Sequence, residues 1–165
     1  MRYKDIKPKR SVATKQMMAT RRLYDTEVKL IEKVWDMRRP RSLKSLQATL
    51  DLLWDHYGGR PGRKPTLRFG PGTKYHGTYY SFTRDTSPGQ EIELAPGQRN
   101  FYVLIHELVH ALGPSQHGLR FAEVYRDLLR HDTFHDMMST PEGELFLHYL
   151  DFEHPYHVRR AYKNR

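Results

Sequence analysis

The spacing of apolar residues changes period twice along this chain, and a fold of one class cannot accommodate both periods. From about Gln16 to Met37, Leu23, Val28, Ile31, Val34 and Trp35 recur near three- and four-residue spacing with charges between them, which predicts an amphipathic helix. Arg39-Pro40-Arg41 interrupts it. Ser42 is placed to cap a second helix that carries Leu43, Leu46, Leu50, Leu53 and Trp54 as far as Gly58-Gly59. The middle of the chain then changes character. Thr66 to Phe69 and Tyr75 to Thr83 predict strands, and Glu91-Ile92-Glu93-Leu94 alternates as a half-buried or edge strand should. Helical spacing returns from Arg99 to Leu112 through Phe101, Leu104, Leu108 and Ala111, and Gly113-Pro114 stops it. It resumes near Gly118 through Phe121, Val124, Tyr125, Leu128 and Leu129, and once more from about Pro141 to Leu150. Helices, strands and helices in that order predict an α+β domain with N-terminal helices and a small, mostly antiparallel sheet. Residues 1–15 read as a loose basic arm, 16–153 as one domain and 154–165 as a basic, aromatic tail.

With 38% hydrophobic residues among 165, the chain has enough apolar material for a core, and with no cysteine it must rely on one. The missing cysteines exclude a disulfide framework, a thiolate-ligated zinc finger, a thiol nucleophile and an iron–sulfur centre. Histidine and carboxylate are left as metal ligands, and there are ten histidines. The opening MRYKDIKPKR is charged throughout with no apolar run behind it, so no secretory leader is expected. No window approaches the ~18 apolar residues of a membrane span, so no membrane partner is expected. The expected location is the cytoplasm, free or beside DNA.

The third predicted helix contains His106-Glu107-Leu108-Val109-His110. A four-residue step turns a helix by about 400°, so both imidazoles lie on nearly one face, a turn apart, and can reach one zinc ion. Glu107 is offset by about 100°, near enough to take a proton from a water that the metal acidifies. A catalytic zinc takes three protein ligands and keeps one position open. His117, seven residues past His110 and beyond the Gly113-Pro114 turn, is the preferred third ligand; Glu123, His131 and His135 are the alternatives. The spacing departs from the metzincin pattern, which would put Gln116 at the third position.

The segment HELVHALGPSQHGLRFAEVYRDLL resembles the SprT-like (Spartan-type) zinc metallopeptidases, whose pattern is H-E-x-x-H, a short connection, then H-G-x-x-F. Here those positions are His106, Glu107, His110, His117, Gly118 and Phe121. The resemblance implies a zincin-like fold, one Zn2+ held by His106, His110 and His117, Glu107 as general base and Phe121 in the core. RRLYDTEVKLIEK together with the site is similar to short metallohydrolases of phages and actinobacteria. Many SprT-like proteins carry a cysteine-rich zinc module after the catalytic part, which this chain cannot form.

The expected function is therefore zinc-dependent hydrolysis of peptide bonds, with a protein or peptide as substrate, extending to proteins held on DNA. Glu91–Leu94 is the expected edge strand for pairing with extended substrate. Tyr102, Tyr125, His131 and Tyr149 are available to stabilise an oxyanion, and Asp127 and Asp132 to orient the zinc histidines. Residues 1–64 hold 17 Lys and Arg against 7 Asp and Glu, and the remainder 11 against 12, so the net charge of +9 arises wholly in the first part. DNA is the partner this suggests, through Arg21, Arg22, Arg38, Arg39, Arg41, Lys44, Arg60, Arg63 and Lys64, with Tyr3, Tyr24 and Tyr57 nearby. Two other readings stay open: a basic nucleic-acid-binding module with a closed structural metal site, and a metal-dependent hydrolase of a non-protein substrate.

Overall fold

A computed structural model describes residues 12–60, 62–71, 78–82, 89–114 and 116–155. The fold is mixed α and β and mostly helical. Helix α1 (Val12–Lys29) begins inside the stretch expected as an arm and stops short of the expected end. A 3-10 turn (Ile31–Lys33) and the short helix α2 (Trp35–Arg38) replace the rest of that helix. Across this break Leu23, Ile31, Val34 and Met37 are all buried in the core. Val28 and Trp35, expected on the buried stripe, are exposed instead.

Helix α3 (Leu43–His56) starts as expected, with the Ser42 side chain accepting from the Ser45 amide. Leu46, Leu50, Leu53 and Trp54 face the core, whereas Leu43 at the first turn is exposed.

Three strands follow: β1 (Thr66–Phe69), β2 (Thr78–Phe82) and β3 (Gly89–Leu94). Their order is β1-β3-β2, with β3 parallel to β1 and antiparallel to β2. The sheet is thus evenly mixed, not mostly antiparallel, because the chain crosses over after β1 and hairpins back only after β2. The expectation that Glu91–Leu94 forms an edge is overturned, since that strand is central. Its alternation has another cause: Ile92 and Leu94 enter the core, while Glu91 and Glu93 meet Arg68 of β1 on the other face.

Helix α4 (Phe101–Ala111), capped by the Asn100 side chain on the Val103 amide, runs through the centre of the molecule. Between Phe101 and Val109 every residue except Tyr102 is buried, so α4 is covered nearly all round. The sheet and α3 pack on it, and α5 (Leu119–Leu129) packs alongside. The chain closes with a 3-10 turn (Asp132–Phe134), α6 (His135–Met138), α7 (Pro141–His148) and a π turn (Tyr149–Glu153). His154, expected in the basic tail, is fully buried. Among the described residues no helix is long and apolar enough to cross a membrane.

Candidate metal centre

His106 and His110 lie a turn apart on α4, and Gly113, at φ +137°, lets the chain reverse directly after that helix. The reversal brings His117 back against both. Its Nε2 lies 3.1 Å from Nε2 of His106 and 3.2 Å from Nε2 of His110. Around a tetrahedral zinc with Zn–N of about 2.0–2.1 Å, neighbouring nitrogens stand about 3.3–3.4 Å apart, so the spacing fits one ion.

The opposite ring nitrogens explain why these three atoms converge. His110 Nδ1 donates to the Pro114 carbonyl at 2.8 Å, and His106 Nδ1 to the Glu27 carboxylate at 2.7 Å. His117 Nδ1 meets the Thr20 hydroxyl at 3.0 Å. With each Nδ1 engaged behind its ring, the three Nε2 atoms face one point, where in the neutral imidazoles their lone pairs could hold a cation. Among the described residues this is the one group of three or more His, Cys, Asp or Glu close enough to hold a metal ion together. Glu123, His131 and His135, the alternatives to His117, lie outside it. Glu123 pairs with Arg120, His131 accepts from the Thr133 amide, and His135 is exposed.

Electrostatics divides the rings. Burial opposes a charge on His106, but the Glu27 carboxylate, by its charge and hydrogen bond, and Glu107 lift its pKa above the usual histidine range. His110 and His117 move the other way. Burial and a positive His106 lower both, and His117 falls to about 3.

Helix α1 supplies what the sequence reading missed. Glu27 accepts from both His106 and the Tyr125 phenol, which lies 2.9 Å away, so it fills the orienting role expected of Asp127 and Asp132. Asp127 instead bonds Arg126, its neighbour in sequence. A signal for Glu27 was available: it continues the four-residue stripe Ala19–Leu23–Glu27, whose other members are apolar and buried. A carboxylate on a buried stripe needs a buried partner. Tyr24, counted among possible nucleic-acid aromatics, stacks on His106 at 5.5 Å and stands edge-on to His117 at 5.3 Å. Burial, then Glu27 and Glu107, push its phenol up to about 12, so it stays protonated at neutral pH.

Glu107 is buried and shares a cavity of about 100 Å³ with Tyr24, Glu27, Tyr102 and His106. Of the residues expected as oxyanion donors, Tyr102 lines this cavity, Tyr125 is committed to Glu27, and His131 serves as a helix cap. Phe121 is fully buried, with its ring 4.7–5.0 Å from all three histidine rings. The His154 imidazole donates to the His117 carbonyl at 3.1 Å, pinning the third histidine from behind.

The basic residues divide into engaged and exposed sets. Arg39 pairs with Asp36, Arg41 bonds the Asp36 carbonyl and covers the Phe101 ring, and Lys64 pairs with Asp51. Arg21, Arg22, Arg38 and Lys44 are exposed, and Arg60 and Arg63 line a cleft at the end of α3. Tyr57 is committed to the Asp127 carbonyl, and Tyr3 lies outside the described residues. Comparison with protein-family models, curated proteins and solved structures finds no match to this chain.

Proposed function

We propose that this chain is a zinc-dependent hydrolase of peptide bonds, with His106, His110 and His117 as metal ligands and Glu107 as general base. The observation that carries the proposal is the convergence of three Nε2 atoms whose Nδ1 partners are engaged elsewhere, beside a buried carboxylate. A bound Zn2+ supplies a Lewis acid that polarises a carbonyl and brings the pKa of a water toward ~7. Glu107 takes the proton of the attacking water and passes it to the leaving amine. Glu27 holds the tautomer and plane of His106, and Phe121 keeps the three rings in register.

Three protein ligands and a neighbouring carboxylate favour chemistry over a closed structural site, which would need a fourth ligand. The resemblance of His106–Phe121 to SprT-like metallopeptidases supports a peptide as substrate, as does β2, an outer strand of the sheet packed on α4. Contact with DNA, and so with proteins held on it, is proposed through the exposed Arg21, Arg22, Arg38 and Lys44. The test is metal analysis and cleavage of an unfolded protein by wild type, Glu107→Gln and His117→Ala. We expect Glu107→Gln to keep zinc and lose hydrolysis, and His117→Ala to lose both. Hydrolysis that survives Glu107→Gln sinks the mechanism.

A further inference from the structure

A second concavity, of about 440 Å³, opens where α3 ends against the C-terminal end of α4, the first turns of α5 and the start of β3. Three arginines line it, Arg60, Arg63 and Arg120, and among its described lining residues there is no Asp or Glu. Local backbone explains why two of the guanidinium groups leave from one place. Gly58 takes φ +64°, and Gly59 lies so close to the Trp54 indole that a Cβ there would overlap the ring. The Arg63 amide then donates to the Arg60 carbonyl at 3.0 Å, with Gly62 at φ +79° closing the turn. Tyr57 ties this end of α3 to α5 through its hydrogen bond to the Asp127 carbonyl. Arg120 also lines the cleft, and among the described residues the carboxylate paired with it, Glu123 at 3.7 Å, leaves its side chain 75% exposed.

The cleft adjoins the proposed metal centre through the chain itself. Its wall at Ala111, Leu112 and Gly113 directly follows His110, about a quarter-turn round α4, and Arg120 stands three residues past His117. Volumes of roughly 300–1,000 Å³ are usual for ligand sites, and three planar guanidinium groups suit carboxylate or phosphate oxygens. A nucleic-acid strand would need a longer cationic track. Arg39, Arg41 and Lys64, which could extend one, are bound to Asp36 and Asp51.

We infer that the Arg60–Arg63–Arg120 cleft is a subsite for an acidic side chain of a peptide, either carboxylate or phosphorylated, close to the bond to be cleaved. The role in cleavage rests on the peptidase reading above; the binding does not. The test therefore uses the full-length zinc-loaded Glu107→Gln protein, in which hydrolysis is removed. Its affinity is measured for an unstructured Asp/Glu-rich peptide, a phosphoserine version, a neutral version and a single-stranded oligonucleotide. Both anionic peptides should bind at least about tenfold more tightly than the neutral one. Arg60→Gln with Arg63→Gln, and separately Arg120→Gln, should erase that preference while zinc content and melting temperature hold. The tighter of the two anionic peptides identifies the preferred oxyanion. Equal affinity for acidic and neutral peptides overturns the inference, as does an arginine variant that loses only the oligonucleotide. Wild type that binds the acidic peptide through these arginines but cleaves no peptide would retire the peptidase reading and leave the subsite standing.

Discussion

His56 and His131 approach as closely as any two rings of the candidate metal centre, with centroids 4.8 Å apart against 4.9–5.4 Å among His106, His110 and His117. The surroundings also look suitable, since an open cleft there holds Asp127 and Asp132. Yet no ligand group forms at that place among the described residues. The difference lies behind the rings. In the centre every Nδ1 has a fixed partner, so every Nε2 is aimed at the same point. At the surface pair, His131 uses Nδ1 as the acceptor of a helix cap, and Asp127 is held by Arg126. Proximity of imidazoles is cheap; directed lone pairs need a second layer of acceptors.

Four measurements would break or sharpen that contrast. The largest expected effect is on Glu107→Gln, which should lower hydrolysis by about 10²–10⁴-fold with zinc content unchanged. Next, zinc titration of His117→Ala should show loss of the stoichiometric site, whereas His56→Ala and His131→Ala keep it. A surface variant that strips the metal would erase the distinction between the two groups. Third, Glu27→Gln should weaken zinc by roughly 10–100-fold, because the charge orienting His106 is gone while the side-chain volume remains. Thr20→Val should cost less, since a hydroxyl carries no charge.

The smallest effect concerns pH. Glu27 raises His106 above the ordinary histidine value, so in the metal-free protein it holds its second proton to higher pH than His110 and His117, which are both lowered. Zinc must displace that one proton, so affinity should fall as pH drops, by about tenfold per unit, starting above pH 6.5. In Glu27→Gln the fall should start at lower pH, because the carboxylate that raises His106 is absent. An onset pH that is unchanged in this variant would remove Glu27 from the account.

Much of the fold was legible where the cause is local. Ser42 before a leucine stripe starts α3, and Gly113-Pro114 ends α4, because capping and left-handed backbone act within a few residues. The reversal that returns His117 was legible for the same reason. Other features depend on what a residue meets far along the chain. The pattern of Glu91–Leu94 suits an edge or a centre equally, and strand order decided between them. Val28 and Trp35 are apolar like Leu23, yet at 100° per residue they stand about 140° and 120° round a helix from it, and both are exposed. Glu27 was visible as an odd carboxylate on a buried stripe, but nothing in the sequence near it names His106, 79 residues away, as its partner.

Sequence alone determined the periodicities, the helix boundaries set by Ser42 and Gly113, and two imidazoles on one helical face with a carboxylate between them. Each follows from the fixed geometry of a helix turn, which the residues carry wherever the helix is placed. Tertiary structure alone decided that β3 is central, that α1 supplies Glu27, Thr20 and Tyr24 to the histidines, and that the arginines of two distant segments share one cleft. Those outcomes depend on docking of whole elements, driven by burial of apolar faces. Burial has no direction of its own, so the sequence states what must be covered without stating by which partner.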